Sequence, residues 1–220
     1  MPSGAVGHDI SWPQCDLPVP APAVFGVVGV TGGRPYTRNP CLGAQFAWGE
    51  STPGGTAFYL NTSSPGPGAL FVDWYGQRTP DPACRPGNDG ACAYDFGFNA
   101  AADAFGYAQA ATGHATGRVW WLDVETDNSW SDSDVVANRA SLQGSLDFLQ
   151  HQPGVVVGVY SPPKMWGRIM GDLRLPLPNW MAGATTLAEA VAHCAPGFSA
   201  TGGPVVLSQW VDVFDNDYVC

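Results

Sequence analysis

Two carboxylates stand one residue apart at the end of an apolar run, in the stretch VWWLDVET that begins at Val119. Alternate side chains of a strand face opposite sides of its sheet, so Asp123 and Glu125 share a face with Trp121. Two carboxylates on one face suit general acid–base chemistry, because like charge and partial burial raise the pKa of one member until it holds a proton near neutral pH. The alternative is a structural acid pair that is hydrogen-bonded to loops.

Further acids lie at the ends of other predicted strands. Asp9 ends the first strand in GHDISW, and Asp215 and Asp217 follow the last one in VFDNDYVC. If the strands close into a parallel barrel, their carboxyl ends meet at one mouth, where barrel enzymes gather their reactive groups. The sequence therefore predicts a carboxylate cluster of Asp9, Asp123, Glu125 and Asp215, in which Asp217 could take the place of Asp215.

Short apolar runs rich in β-branched and aromatic residues recur along the chain. They cover residues 5–11, 24–30, 56–61, 118–125, 154–160, 179–183 and 204–210. Near-continuous apolar strands of this length are typical of a parallel sheet covered on both faces, so the leading class is α/β. No linker separates two cores, and residues 1–220 are predicted to form one domain.

Helical patterns lie between the early strands. Helices are predicted at 41–48, at 97–111, at 133–150 with Ser133 as its cap, and after Pro163, beyond which helical patterns become sparse. Residues 62–96 are too rich in Pro and Gly for regular structure. They are predicted to form a long loop insertion after the third strand.

The six cysteines show no CxxC or Cys/His metal spacing, which indicates disulfides rather than a metal site. Buried free thiols are the alternative. Pairs of sequence neighbours are favoured because each closes a loop or tethers a terminus: Cys15–Cys41, Cys84–Cys92 and Cys194–Cys220. The chain is therefore expected to be secreted, although no signal peptide is visible in its opening residues, MPSGAVG.

Composition narrows the range of partners. A net charge of -10 with a single lysine, Lys164, argues against nucleic acid and anionic membrane surfaces, and no apolar run reaches the ~18 residues of a membrane span. The four histidines have no ligand spacing, and no phosphate loop, dinucleotide fingerprint or Gly-x-Ser-x-Gly elbow is present. We expect a neutral polar partner, no metal, no cofactor and a monomeric protein.

Taken together, these segments resemble glycoside hydrolase family 25, the lysozyme-type muramidases that cut bacterial peptidoglycan. The resemblance rests on GHDISWPQ, WWLDVET, GVYSPPKMW, NWMAGA, LSQW and FDND, whose order and spacing agree over nearly all 220 residues. It implies a TIM-like (β/α)5β3 barrel, a variant in which helices are missing after the late strands. It also implies a polysaccharide substrate built from N-acetylated sugars.

The resemblance implies roles for the clustered residues. Glu125 would be the acid/base, and Asp123 would orient the substrate's N-acetyl group for attack on the anomeric carbon, a retaining mechanism that needs no second protein nucleophile. Asp9 and Asp215 would hydrogen-bond around the subsite and tune Glu125. Predicted sugar contacts are Asn61, Tyr160, Trp180, Gln209 and Trp210, and further aromatic candidates for stacking are Trp12, Trp74 and Tyr75.

Two alternatives stay open from the sequence. One is a barrel that binds glycan without cutting it, and the other is a hydrolase of a different bacterial surface polysaccharide.

Overall fold

The computed structural model describes residues 1–64, 84, 89–212 and 214–220. Within them, eight strands close into a barrel in chain order. The strands are β1 (Val6–Ile10), β2 (Gly26–Gly29), β3 (Thr56–Asn61), β4 (Val119–Asp123), β5 (Val156–Tyr160), β6 (Asn179–Ala184), β7 (Val205–Val211) and β8 (Asp215–Val219). The helices are α1 (Leu42–Glu50), α2 (Asp89–Thr112), α3 (Val135–Gln150), α4 (Pro163–Met170) and α5 (Leu187–His193).

This architecture confirms the predicted TIM-like barrel. Strands β1 to β7 run parallel to one another, whereas β8 closes the barrel between β7 and β1 and runs antiparallel to both. The five α-helices follow β2 to β6, and β1 is followed by a 3-10 turn, Trp12–Gln14. Among the described residues none of these helices is long and apolar enough to cross a membrane.

The last strand was not recognised in the sequence, which placed Asp215 and Asp217 after the final strand instead of inside one. Both acids belong to β8, where Asp215 pairs with Asp9 and Asp217 pairs with Gly7. The inward positions of β8 carry these acids in place of apolar residues, so the strand lacks the apolar pattern that marks the others. Because β8 is antiparallel, its first residue lies at the carboxyl ends of the parallel strands.

Two helix boundaries also differ from the prediction. Helix α2 begins at Asp89, so the end of the 62–96 segment that was predicted to be irregular is helical. Burial explains the earlier start, since Cys92 and Phe96 pack in a small apolar cluster together with Tyr36. Helix α3 is capped by Asp134, not Ser133, through a 2.9 Å hydrogen bond from the Ala137 amide to the Asp134 carboxylate.

Of the predicted insertion at 62–96, residues 65–83 and 85–88 lie outside the described part of the chain.

The barrel wall separates two apolar layers. Trp120, Leu122 and Val124 point outward into the large core between strands and helices. Trp121 points inward and packs with Phe25, Val27, Trp180 and Leu207 in the barrel interior. This alternation is the one expected for β4, and it places Asp123 on the inner face. Gly158 makes room for the inner layer, because a Cβ at this position would lie 2.2 Å from the Trp121 ring.

All three predicted disulfides are confirmed: Cys15–Cys41, Cys84–Cys92 and Cys194–Cys220. Among the described residues there is no free cysteine. The first bond ties the segment after the 3-10 turn to the start of α1, and the third ties the end of α5 to the C-terminal residue. Each of these two disulfides joins cysteines 26 residues apart. In the chain-entropy account, closing a loop of that length stabilises the fold by roughly 3 to 4 kcal/mol.

Candidate active site

A cleft of about 290 Å³ opens at the carboxyl ends of the parallel strands. All four predicted acids line it, together with four of the five predicted sugar contacts. Its lining residues are Asp9, Trp12, Gly33, Tyr59, Asn61, Asp123, Glu125, Tyr160, Trp180, Gln209, Val211 and Asp215. The structure therefore brings together side chains from β1, β3, β4, β5, β6, β7 and β8.

Asp123, the last residue of β4, is held in a fixed orientation by Asn61. Asp123 is 3% exposed, and its Oδ2 accepts a hydrogen bond from the Asn61 amide nitrogen. On its other side the Asn61 amide is held by Thr31, whose hydroxyl donates a 2.6 Å hydrogen bond to Asn61 Oδ1. In the described part of the chain the other Asp123 oxygen, Oδ1, has no hydrogen-bond partner. A buried acceptor without a partner is costly unless a ligand uses it.

The backbone around Asp123 is also pinned. Its carbonyl oxygen accepts hydrogen bonds from the Thr62 amide at 3.1 Å, from the Thr62 hydroxyl at 2.5 Å and from the Asn128 side chain at 3.1 Å. The backbone N–H of Asn128 donates to the Glu125 carbonyl oxygen at 3.1 Å. These bonds fix the turn that carries Glu125 out of β4 and towards the cleft.

Glu125 and Asp123 form an interacting pair of carboxyls. Burial raises the pKa of Glu125, and the negative charges of Asp127 and Asp215 act in the same direction. Burial raises the pKa of Asp123 well above its usual range, and the charge of Glu125 adds to the effect. Because two adjacent carboxylates repel each other at low dielectric, the pair retains a proton at a pH where an isolated carboxyl has lost it.

A second hydrogen-bonded chain holds Asp9. The Gln209 side-chain nitrogen donates to Asp9 Oδ2 at 2.8 Å, and the Tyr160 hydroxyl donates to Gln209 Oε1 at 2.8 Å. Asp9 is 6% exposed. Burial, followed by the charge of Asp215, raises the pKa of Asp9 to about 8. Gln209 therefore holds Asp9 in place, and Tyr160 holds Gln209.

The structure distinguishes the two acids of β8. Asp215 is half-buried at the cleft, and burial raises its pKa. Asp217 is 0% exposed and does not line the cleft. Of the two, Asp215 is the one within reach of a bound ligand.

The aromatic residues occupy two different positions. Trp180 is 2% exposed and forms the floor of the cleft, with edge-on contacts to Tyr160 at 4.6 Å and Trp121 at 5.7 Å between ring centroids. Trp12 is 48% exposed at the rim. The 3-10 turn that carries Trp12 is held by the Gln45 side chain, whose nitrogen donates to the Ser11 carbonyl at 2.7 Å.

Trp210 does not line the cleft, contrary to the prediction. It follows Gln209 on β7, and since Gln209 faces the barrel interior, the next side chain faces outward. Trp74 and Tyr75 lie outside the described residues.

Sequence reasoning missed Tyr59, Gly33 and Val211 as lining residues and Thr31 as the partner of Asn61. Strand alternation would have found two of them, because Tyr59 lies two residues before Asn61 and Val211 two residues after Gln209. Thr31 and Gly33 follow β2 in a loop, where no such periodicity applies.

The electrostatics of the cleft are one-sided. None of its described lining residues is Lys, Arg or His. Across the described ranges of the chain, no group of three or more His, Cys, Asp or Glu side chains could hold a metal ion. The acids therefore have no fixed counter-charge among the described residues that line the cleft.

No protein-family model matches the sequence, and no curated protein matches it. Solved structures do resemble it. A muramidase from Trichobolus zukalii superposes with a TM-score of 0.57 at 18% identity, covering 98% of this chain and 93% of that one. A family 25 glycosyl hydrolase from Bacillus anthracis gives 0.58 at 10% identity, covering 99% and 89%.

The chain has the family 25 glycosyl hydrolase fold. The catalytic domain of an endolysin from a bacteriophage of Listeria monocytogenes shares it as well, with a TM-score of 0.50 at 17% identity over 99% of this chain and 93% of that domain. At these identities the similarity is one of fold. Within the family 25 fold, the cleft of this chain lies at the end of the barrel where such folds place their reactive groups.

Proposed function

We propose that this chain is a glycoside hydrolase that cleaves bonds between N-acetylated sugars of bacterial peptidoglycan by a retaining, substrate-assisted mechanism, and that it acts outside the cell. The observation that carries the proposal is the Asp123–Glu125 pair, two adjacent carboxyls at the carboxyl end of the barrel with raised pKa values and with no cation among the described residues that line the cleft. Such a pair can hold a proton near neutral pH and release it to a substrate.

The burial of these acids favours catalysis over binding alone. An unpaired ionised group in a low-dielectric site is strongly destabilising, and a hydrogen-bonding amide would serve a sugar hydroxyl at lower cost. The cleft instead places Asp9, Asp123, Glu125 and Asp215 around one space. Repulsion among them keeps protons available for transfer, which a binding site for a neutral sugar does not need.

Substrate binding would move the proton to the residue that has to donate it. In the free protein Asp123 is the more deeply buried member of the pair, and its pKa is raised well above the usual range. The N–H of an acetamido group, donated to the free Asp123 Oδ1, would stabilise the Asp123 carboxylate and lower its pKa. The shared proton would then reside on Glu125, the less buried member of the pair.

The reaction follows from that arrangement. Glu125 donates its proton to the glycosidic oxygen as the bond to the anomeric carbon breaks, and the acetamido carbonyl oxygen, oriented through Asp123, attacks that carbon. The Glu125 carboxylate then takes a proton from water, whose oxygen bonds to the anomeric carbon from the face that the leaving group vacated, while the bond from that carbon to the acetamido oxygen breaks and the acetamido group is restored. Two displacements on opposite faces give net retention, with the acetamido oxygen in place of a protein nucleophile.

The other cleft residues would bind and orient the sugar. Asp9, steadied by Gln209, and Asp215 would accept hydrogen bonds from sugar hydroxyls on the side opposite Asn61. The apolar faces of the sugars would stack on Trp12 at the rim. Three disulfides suit an oxidising compartment outside the cytosol, where peptidoglycan lies.

The test compares Glu125→Gln with wild-type protein on purified peptidoglycan. Glutamine keeps the size of the side chain but cannot donate the proton, and a positioned general acid is worth about 10²- to 10⁴-fold in rate. We expect release of new reducing ends to fall by that factor, while sedimentation of the protein with insoluble walls is unchanged. Glu189→Gln, at an exposed position on α5, is the matched control and should behave as wild type.

The other outcomes decide between the remaining alternatives. Wild-type protein that sediments with walls but releases no reducing ends would identify a binding barrel. Activity confined to another purified wall polysaccharide would retain the mechanism and change the substrate. Full activity of Glu125→Gln would exclude Glu125 as the acid.

A further inference from the structure

Asp217 is a buried acid that the mechanism above does not use. It is 0% exposed, and within the described part of the chain neither of its carboxyl oxygens has a hydrogen-bond partner. Native proteins rarely leave such groups unsatisfied, because each carries the full cost of its desolvation. An ionised carboxylate in this position would be one of the most unfavourable groups in the barrel.

The barrel register places Asp217 directly beneath the cleft. On β8 it lies two residues after Asp215 and on the same inner face, and it pairs with Gly7 of β1 while Asp215 pairs with Asp9. Asp217 and Asp9 are thus diagonal neighbours on one face of an antiparallel pair, a spacing that side chains can bridge. Gly7 adds no side chain between them.

The neighbours of Asp217 supply no positive charge. Its carboxyl lies near the Asp9 carboxyl and the indole of Trp180, and the indole lowers the pKa of Asp217. Neither contact has the geometry of a hydrogen bond, and Trp180 Nε1 has no other partner in the described residues. The paired residue on β7 is Gln209, and both ends of its amide are already used by Asp9 and Tyr160. Among the described residues, the titratable groups that act on Asp217 are Asp9 and Asp215, and those of the cleft above it are Asp123, Glu125, Tyr59 and Tyr160, all of them acids.

A proton on Asp217 removes both the cost of a buried charge and the lack of a hydrogen-bond partner. The neutral acid carries no unpaired charge, and its O–H is a donor that a small side-chain movement brings to Asp9. Burial and the charge of Asp9 raise the pKa of Asp217 well above its usual range, in agreement with this state. The neutral acid would then donate a hydrogen bond to Asp9 from beneath the cleft, as Gln209 does from β7.

We propose that Asp217 is a positioning residue that stays protonated in the working protein and steadies Asp9 from beneath the cleft by donating a hydrogen bond to it. The proposal rests on the proposed function only in taking Asp9 to contact the sugar. The state of Asp217 itself can be tested whether or not the protein hydrolyses a glycan.

The first arm of the test measures thermal stability against pH for wild type and Asp217→Asn. The unfolded chain loses the Asp217 proton at about pH 4, whereas the native state keeps it, so raising the pH destabilises the native wild type relative to the unfolded chain. Asparagine cannot titrate and escapes this penalty. We expect equal midpoints near about pH 4 and an advantage of several degrees, ~5 °C, for Asp217→Asn near about pH 8.

The matched control for this arm is Asp16→Asn, which exchanges the same groups at an exposed position. It measures the effect on the midpoint of exchanging a carboxyl for an amide at a solvent-exposed site. A pH-independent difference for Asp217→Asn, or one that favours wild type at high pH, would show that native Asp217 is not protonated and would overturn the proposal.

The second arm measures hydrolysis. Asp217→Asn retains a donor towards Asp9 and should keep kcat within about threefold, as rescue by the conservative variant. Asp217→Leu has similar volume and no donor, and it should lose about 10- to 100-fold in kcat with little change in KM, because Asp9 is no longer held in place. Equal losses in both variants, or full activity of Asp217→Leu, would overturn the positioning role.

The two arms separate the two hypotheses. If wild-type protein cleaves no wall glycan, the proposed function fails, and the pH dependence of the stability difference still reports whether Asp217 holds a proton. If Asp217→Leu does not fold, Asp217→Ala, which also lacks a donor, replaces it in the second arm, and the first arm is unaffected.

Discussion

The two ends of the barrel interior have opposite chemistry. At the carboxyl ends of the parallel strands, acids, amides and phenols surround the cleft. At the amino ends lies a cavity of about 460 Å³ whose walls are mostly apolar, with Phe25, Val27, Trp121 and Leu207 among them. The apolar end gains free energy from the area it removes from water, whereas the acidic end buries carboxyls at a cost. That cost indicates selection for chemistry rather than for stability.

Strand β4 crosses from one end to the other within two residues. Trp121 packs in the apolar interior, and Asp123, next on the same face, lies in the cleft. A substitution at the acidic end should therefore change the reaction with little loss of stability, and one at the apolar end should do the reverse. The following predictions test that division, beginning with the largest effect.

Asp123→Asn should abolish most of the activity. Asn61 donates a hydrogen bond to this side chain, so the oxygen of the new amide turns towards Asn61 and its NH2 group faces the acetamido N–H, which loses its acceptor. The carbonyl oxygen that attacks the anomeric carbon is then no longer oriented, and losing one such interaction costs about 10² to 10³ in kcat. Reducing-end assays at saturating substrate measure it. Asp172→Asn, at an exposed surface ion pair with Arg139, is the control and should leave kcat unchanged. Wild-type kcat in Asp123→Asn would remove Asp123 from the mechanism.

Leu207→Ala should have the converse effect at the apolar end. Leu207 is 4% exposed in the inner layer, and truncating a buried leucine costs about 2 to 5 kcal/mol of unfolding free energy. Urea unfolding monitored by circular dichroism gives the value. At a temperature where the variant is folded, kcat should stay within about twofold of wild type. A large loss of kcat without a loss of stability would contradict the division between the two ends.

Stability should fall as the pH rises from about 4.5 to about 8. Asp9, with a pKa of about 8, and Asp123 and Asp217, whose pKa values are also raised, bind protons in the native state that the unfolded chain has already lost. The stabilisation is therefore complete below the unfolded pKa values and is lost as the pH rises towards and through the raised native ones. Calorimetric midpoints across this range measure it. Asp9→Asn should flatten the curve, and a wild-type midpoint that rises with pH would contradict the assigned protons.

Trp12→Ala should have the smallest effect. Trp12 is exposed at the rim, and loss of one stacking platform should raise KM by about three- to tenfold while kcat is unchanged, which corresponds to roughly 1 kcal/mol. Trp210→Phe, on the outer face of β7, is the comparison and should change neither constant. A lower kcat in Trp12→Ala would mean that the rim acts on the transition state as well.

The sequence predicted those features that follow from strand periodicity. Alternation along β4 placed Asp123 and Glu125 on the inner face, and cysteine spacing identified the disulfides. Strand β8 was missed because its inward residues are Asp215 and Asp217, and a strand with acids at its core positions has no apolar pattern to detect.

Contacts between residues that are far apart in the sequence could not be predicted at all. The Thr31–Asn61 hydrogen bond joins residues after β2 and at the end of β3, and the Gln209–Asp9 bond joins the two sides of the barrel closure. Both depend on the register in which the barrel closes, which no local pattern encodes. The assignment of Trp210 has a different origin: Gln209 and Trp210 are adjacent on β7, so strand alternation allows only one of them to face the cleft.

The most direct test of the central claim is the configuration of the first product. Wild-type protein would be mixed with a soluble peptidoglycan fragment, and the anomeric proton of the newly formed reducing end would be followed by NMR before mutarotation. Cleavage through the acetamido oxygen, with Glu125 as acid and then base, predicts that the first anomer has the configuration of the bond that was cut. An inverted first anomer, or fragments left intact by a folded wild-type protein, would contradict the account.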